Sequence, residues 1–315
     1  MAKANVGIIS LGEMGAAIAQ LLRAEGFHVL SKLEGRSEAT MSRAAAAGVR
    51  CDFSSDEAFI ESCDYVMSIV PPSEALATAE RIAKACTVNR MRSPLVYLEL
   101  NAVSPSTAKS ISKVFTSLDV RVIDGGIIGG PPCISESGWS CPSIVLSGPY
   151  KLAEAPSEGA ILAKVLNTKV VGDEIGTASG LKCCFASLTK GYTALAIQAF
   201  STASRLGVLE HLEKEISNSP GGANRLEASK RSLSSMPPKA GRWVEEMVQI
   251  NQTFSEEGGW GNVKPSTDIF KQIAGVYEFV SRGTDLGKEH VTNRQRGKTA
   301  EDAVDVICQA LSGKH

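Results

Sequence analysis

The chain has 315 residues, 43% of them hydrophobic, with 33 Lys and Arg against 34 Asp and Glu. That length accommodates two domains with cores of their own, and a formal net charge of -1 excludes the basic character that attracts nucleic acid or an acidic membrane surface. Eight scattered cysteines with no C-x-x-C pair, four histidines (His28, His211, His290, His315) apart from them, and no apolar run of about 18 residues predict reduced thiols, no metal, no membrane span and a cytoplasmic location.

The first segment, Asn5-Val6-Gly7-Ile8-Ile9, reads as a buried strand. Ser10-Leu11-Gly12-Glu13-Met14-Gly15 follows as a glycine loop, and Ala16-Ala17-Ile18-Ala19-Gln20-Leu21-Leu22 as the start of a helix. Glycines let a backbone approach a ligand, and a fresh helix N-terminus aims unpaired N–H groups at an anion, so this order predicts a cradle for a dinucleotide pyrophosphate. Further strands are expected at 28–30, 65–70, 95–100, 120–123, 143–146 and 169–172. Helices are expected around 15–24, 38–47, 57–62, 73–85 and 107–117. The alternation predicts an α/β fold, a Rossmann-type doubly wound parallel sheet. From Thr177 to Leu206 the pattern is one helix roughly 45 Å long at 1.5 Å per residue. The rest is helical, with breaks near Pro220-Gly221-Gly222, Pro237-Pro238 and Gly258-Gly259-Trp260-Gly261. The expected domains are 1–176, binding the dinucleotide, and 177–315, all-α.

After the second strand comes Ser31-Lys32-Leu33-Glu34-Gly35-Arg36-Ser37, with Thr40 and Arg43 beyond. Arg36, Ser37 and Thr40 suit a ribose 2′-phosphate and favour NADP; Glu34 is the counter-argument for NAD, and a solvated loop with a helix start at Ser37 is the bland alternative. Val70 and Pro71, and Asn101 after the next strand, fall at the carboxyl edge where such sheets bind ligands; Asn101 would equally serve to cap its own turn.

Asp124-Gly125-Gly126-Ile127-Ile128-Gly129-Gly130-Pro131-Pro132 reads as a glycine-rich loop exposing N–H groups to an anion, or as a tight crossover. Gly176-Thr177-Ala178-Ser179-Gly180-Leu181-Lys182 opens the long helix. A lysine among Ala, Leu and Cys either snorkels to water or sits in a cleft as a proton-transfer group.

Gly7-x-Ile9-x-x-Gly12-x-Met14-Gly15, the 124–130 segment and Gly176-x-Ala178-x-x-Leu181-Lys182, in this order, resemble the β-hydroxyacid dehydrogenase superfamily, which includes 6-phosphogluconate and 3-hydroxyisobutyrate dehydrogenases. Leu188-Thr189-Lys190-Gly191-Tyr192 and Arg242-Trp243-Val244-Glu245-Glu246-Met247 resemble its less characterised branch with a distinct C-terminal helical domain. The resemblance implies that Ser10 to Gly15 hold the cofactor, Gly129 and Gly130 the substrate, and Lys182 the proton; it also implies a homodimer. The chain departs from the family at three places. Ser10 stands for the first fingerprint glycine, Ile128 for a substrate-loop serine, and Ala186 for an asparagine one turn after the lysine. Helical spacing offers Thr189 and, a quarter turn aside, Lys190 as substitutes facing a substrate; Lys190 as an exposed charge is the alternative. Trp243, Trp260 and Tyr277 are pocket-mouth candidates or core anchors, and Lys264 a candidate for closing over the cofactor. The reading is an NADP-preferring oxidoreductase of a small anionic carbonyl or hydroxy compound, with an imine reductase or a non-catalytic NADPH sensor as alternatives.

Overall fold

A computed structural model describes residues 3–88, 94–136, 138–264, 267–291 and 293–313; His315 lies outside them. The chain divides into two compact units, Met1–Cys183 and Cys184–His315, a division that falls inside the long helix.

The first unit runs β1 (Asn5–Ile9), α1 (Glu13–Ala24), β2 (His28–Leu30), α2 (Glu38–Ala46), α3 (Asp56–Glu61), β3 (Tyr65–Ser68), α4 (Ala75–Val88), β4 (Leu95–Glu99), α5 (Pro105–Val114), β5 (Val120–Ile128), β6 (Cys133–Ser135), β7 (Gly138–Ser140), β8 (Ser143–Ser147), α6 (Gly159–Val165) and β9 (Thr168–Gly172). The helix α7 (Thr177–Arg205) begins in it. Seven strands form one sheet in the order β2-β1-β3-β4-β5-β8-β9. The strands are apolar at nearly every position because both faces are covered. Val6, Ile8, Tyr65, Met67, Val96 and Leu98 enter one core with Ile18 and Leu22 of α1. Ile9, Val66, Leu95 and Tyr97 enter a second core with Ile82 of α4 and Ile111 of α5. Since the chain steps from β1 out to β2 and then back across to β3, the order reverses beside β1, where open α/β sheets bind ligands.

Two expectations are corrected here. The sheet is not wholly parallel: β5 and β8 pair antiparallel, while β8 and β9 pair parallel. The β5–β8 connection holds the β6–β7 hairpin and no crossover helix, so the strand returns in the opposite direction. Nor is 124–128 a loop. Asp124 to Ile128 continue β5, in register with Ser147 to Ser143 of β8.

The second unit continues α7 and adds α8 (Leu209–Asn218), α9 (Gly222–Ser235), α10 (Ala240–Glu256), α11 (Ile269–Gly283) and α12 (Ala300–Leu311). Gly221 (φ 70) and Gly259 (φ 74) supply left-handed turns at two of the expected breaks, and Pro237 opens a short 3-10 turn at the third. Leu233, Met247, Ile250, Tyr277, Val280, Val304 and Ile307 are buried. No described helix is long and apolar enough to cross a membrane.

Candidate functional site

The glycine loop leaves β1 at the reversal point. Ser10 takes the positive φ that a fingerprint glycine usually takes, at 72°. A Cβ on Gly15 would meet the Ser10 carbonyl oxygen at 2.3 Å, so only glycine lets α1 approach the strand end this closely; a Cβ on Gly12 would meet nothing within 4 Å. Gly12 is also the N-cap of α1 and supplies no side-chain cap, whereas Ser104 caps α5 by accepting from the Thr107 N–H at 3.2 Å. Open space before an uncapped helix N-terminus fits a pyrophosphate.

The loop is clamped by a residue outside the fingerprint. Arg43 of α2 donates from Nε to the Leu11 carbonyl at 2.8 Å and from Nη2 to Thr40 Oγ1 at 3.1 Å. Ser37 caps α2 and contacts Thr40 at 3.1 Å. Ser37, Thr40 and Arg43 therefore form one polar group beside the loop, while Arg36 is exposed. Glu34 is exposed and ion-paired with Lys32 at 2.6 Å, which holds its carboxyl below the usual range. The sequence hint for Arg43 is its helical spacing from Thr40, three residues on.

At the edge of β3 and β4, Asn101 is buried with its amide committed to the chain. Its Oδ1 accepts from the Val70 N–H at 2.6 Å and its Nδ2 donates to Ser68 Oγ at 2.9 Å. Asn101 thus braces the Val70–Pro71 corner. Pairing register then places Ser68, Glu99, Asp124 and Ser147 side by side across β3, β4, β5 and β8, and all four are buried. Glu99 accepts from the Asn101 N–H at 3.1 Å through Oε1. Its Oε2 and the Tyr97 hydroxyl are buried without a hydrogen-bond partner. Burial, aided by the nearby Asp124 charge, pushes the Glu99 carboxyl up to about 8.

Asp124 explains the motif that opens α7. It accepts from the backbone N–H groups of Gly176 (2.9 Å) and Ser179 (3.2 Å), from Ser179 Oγ, and from Ser147 Oγ at 2.9 Å. Ser147 in turn accepts from the Ala178 N–H at 2.9 Å. The α7 N-terminus is thereby filled by a carboxylate of the chain itself and is not an open anion site. One turn on, Lys182 crosses the end of β5. A Cβ on Gly126 would meet Lys182 Cβ at 2.7 Å, and Lys182 Nζ donates to the Ile127 carbonyl. Gly125 makes similar room for Leu100 and Leu146. Beyond the strand, Gly129 (φ +130) and Gly130 are exposed, and a Cβ on Gly130 would meet nothing within 4 Å.

In the second unit Lys190 is neither a free ammonium nor an exposed charge. It is 8% exposed, ion-paired with Glu246, and 5.4 Å from the centre of the Trp243 ring. Arg242 Nε reaches the same carboxylate at 3.2 Å. Tyr277 is fully buried, stacks edge-on against Trp243 at 5.2 Å and donates to the Lys190 carbonyl. Tyr277 is a core anchor, Trp243 is half-buried, and Trp260 and Lys264 are exposed. Thr189 is exposed and contacts only its own helix, donating to Ala186 O at 3.3 Å. Among the described residues no group of three or more His, Cys, Asp or Glu is placed to hold a metal, and all eight cysteines are free.

The reversal-point loop and the uncapped helix form the arrangement at which open α/β sheets bind dinucleotides. Residues 5–149 match the NAD-binding domain of 6-phosphogluconate dehydrogenase, and residues 203–280 match a domain of unknown function, DUF1932. An uncharacterised 28.5 kDa protein of Methanothermus fervidus is 25% identical over 279 residues, 85% of this chain and 98% of that protein. The L-threonate dehydrogenase of Cupriavidus necator is 27% identical over 207 residues, 65% of this chain and 66% of the enzyme. A solved conserved protein of unknown function, described as structurally similar to 3-hydroxyacid dehydrogenases, superposes with a TM-score of 0.60 at 28% identity, over 88% of this chain and 96% of its own. A domain like the NAD-binding domain of 6-phosphogluconate dehydrogenase is thus followed in this chain by a DUF1932 domain, the two-part pattern that the sequence motifs resemble.

Proposed function

We propose that the protein is an NADP-preferring oxidoreductase acting on a small anionic carbonyl or hydroxy compound, with Lys182 as the general acid and base. The observation that carries this reading is Lys182 itself. Its stem lies against Gly126, and its Nζ is held at the Ile127 carbonyl beside the exposed Gly129–Gly130 turn. The 10–15 loop would hold the pyrophosphate of NADP, whose nicotinamide would supply the hydride chemistry. Lys182 gives a proton to the carbonyl oxygen in reduction and takes one from the hydroxyl in oxidation. Gly129 and Gly130 leave room and backbone donors for the substrate's anionic group. The deciding experiment is turnover of the Lys182→Ala variant.

The preference for NADP rests on Ser37, Thr40 and Arg43 lying together beside the loop, with the exposed Arg36 next to them. Arg36→Ala is expected to weaken NADPH binding roughly tenfold, as for one charge-assisted hydrogen-bond partner, and to leave NADH binding unchanged. Fluorescence titration of both cofactors checks this; an equal loss for both would remove Arg36 from the 2′-phosphate.

The partner is a second copy of the chain. On α7 the exposed stripe of the second unit carries Phe185 (45%), Leu188 (77%), Tyr192 (40%) and Leu195 (61%), while the opposite side holds buried Ala194, Ile197 and Phe200. A helix apolar on both sides calls for cover on both. Leu188→Glu is expected to convert a dimer to monomer in light scattering coupled to size exclusion. A wild-type protein that runs as a monomer at tens of micromolar would refute the assignment.

A further inference from the structure

At the amino edge of the sheet, opposite the cofactor loop, a cleft of about 550 Å³ is lined by Lys3, Arg23, His28, Arg50, Asp64 and Glu158 among others. Its volume is that of a small-ligand site. Its acidic members are unequal. Asp64 is satisfied within the chain, accepting from the Asn5 N–H at 2.8 Å and from Ser157 Oγ at 3.1 Å. Glu158 is not: its Oε2 is buried with no hydrogen-bond partner. Glu158 and its neighbour Ser157 both sit at positive φ, 67° and 56°, in a turn that the Tyr65 hydroxyl holds by donating to the Pro156 and Ser157 carbonyls.

The basic members are unequal as well. Arg50 pairs with Asp52 at 2.7 Å, and Lys3 donates to the Glu25 carbonyl. Arg23 has no ion-pair partner among the described residues, and its Nε lies over Gly48, where a Cβ would come within 3.6 Å. The cleft therefore presents an exposed guanidinium with no ion-pair partner among the described residues together with a buried carboxylate oxygen short of a donor. The buried acceptor gains a donor, and the guanidinium a charge-assisted contact, from a ligand that is anionic and carries its own O–H.

We propose that this cleft is a second binding site, separate from the cofactor cradle, for inorganic monohydrogen phosphate. Arg23 holds its anionic oxygens, with Lys3 adding positive potential, and its hydroxyl donates to Glu158. Sulfate has the same shape but no proton at neutral pH, so it brings like charge to Glu158 and is rejected.

The test uses the full chain saturated with NADP+, which fills the α1 N-terminus and prevents anions from binding there. Under constant ionic strength, inorganic phosphate at ten times its Kd is expected to raise Tm saturably by roughly 3–5 °C, and sulfate is expected not to. Arg23→Gln is expected to weaken phosphate roughly tenfold while NADP+ affinity stays at wild type. Glycerol 3-phosphate at pH 7.5, whose phosphate is a dianion without an O–H, is expected to behave like sulfate, and a response to it equal to that of inorganic phosphate overturns the proposal. Equal responses to phosphate and sulfate, or a phosphate response unchanged in Arg23→Gln, overturn the proposal. Should that variant fail to fold, amide NMR of the wild type decides. Shifts at Gly48 and Ser157 support the site, and shifts confined to residues 10–15 overturn it.

Discussion

Lys182→Ala is expected to lower kcat by roughly 10³-fold, within the range for loss of a positioned general acid or base, and to leave the NADPH dissociation constant within about twofold of wild type. The separation follows from the geometry. The proposed cofactor contacts are built on β1, α1 and α2, whereas Lys182 is carried by α7 and touches β5. Lys182→Arg is a stricter companion: it keeps a cation at the Ile127 carbonyl, but a guanidinium does not give up its proton near neutrality. Both variants should therefore be slow in stopped-flow assays of NADPH oxidation. The substrate panel should contain hydroxy acids, keto acids, aldehydes and cyclic imines. Near-normal turnover by Lys182→Ala would remove the lysine from catalysis, and the pattern across the panel distinguishes carbonyl from imine reduction.

Glu99→Gln is expected to stabilise the protein in alkali. The folded-state value of about 8 lies above the ordinary value of 4.5, so the folded chain binds the proton more tightly than the unfolded chain. Stability is then full below about pH 4.5 and falls as pH rises, by up to about 1.4 kcal/mol per pH unit, until the folded carboxyl ionises near pH 8. Between pH 6 and 9 this amounts to roughly 3 kcal/mol, or about 6–12 °C in Tm for a unit of this size. Glutamine resembles the protonated acid: its oxygen keeps the Asn101 N–H, and its amide donates where Glu99 Oε2 and the Tyr97 hydroxyl have no partner. Thermal melts of the two proteins should coincide near pH 5 and diverge in the variant's favour toward pH 9. Parallel curves across that range would show that Glu99 is ionised in the folded protein.

The central strands and the first helices were legible because both faces of the sheet are covered there, so β1, β3 and β4 appear as largely apolar runs. The exposed β6 and β7 carry no such pattern and were not expected. The cradle was legible for a similar reason: Gly12 and Gly15 follow directly from β1, and local chain order alone makes the turn. Lys182 stood out as a charge in an apolar helix. The 124–128 segment was misread because glycine has two uses, turning the chain and admitting close neighbours, and composition does not separate them. Gly125 and Gly126 serve the second, against Leu100, Leu146 and Lys182. Lys190 posed the same kind of problem, since its partner Glu246 is 56 residues away.

What the sequence determined by itself is whatever is carried by contiguous residues: the strand-loop-helix turn, the α/β order followed by helices, the lysine on α7 and the superfamily resemblance. The tertiary structure decided which of the marked residues remain available to a ligand. Asp124 is consumed in capping α7, Asn101 in bracing Val70, and Lys190 in pairing with Glu246. Arg43 is recruited to the loop, and Glu99 is pushed toward its neutral form. Each outcome depends on a group brought in from a distant segment, and the burial and pairing that set its chemistry exist only once the chain has folded.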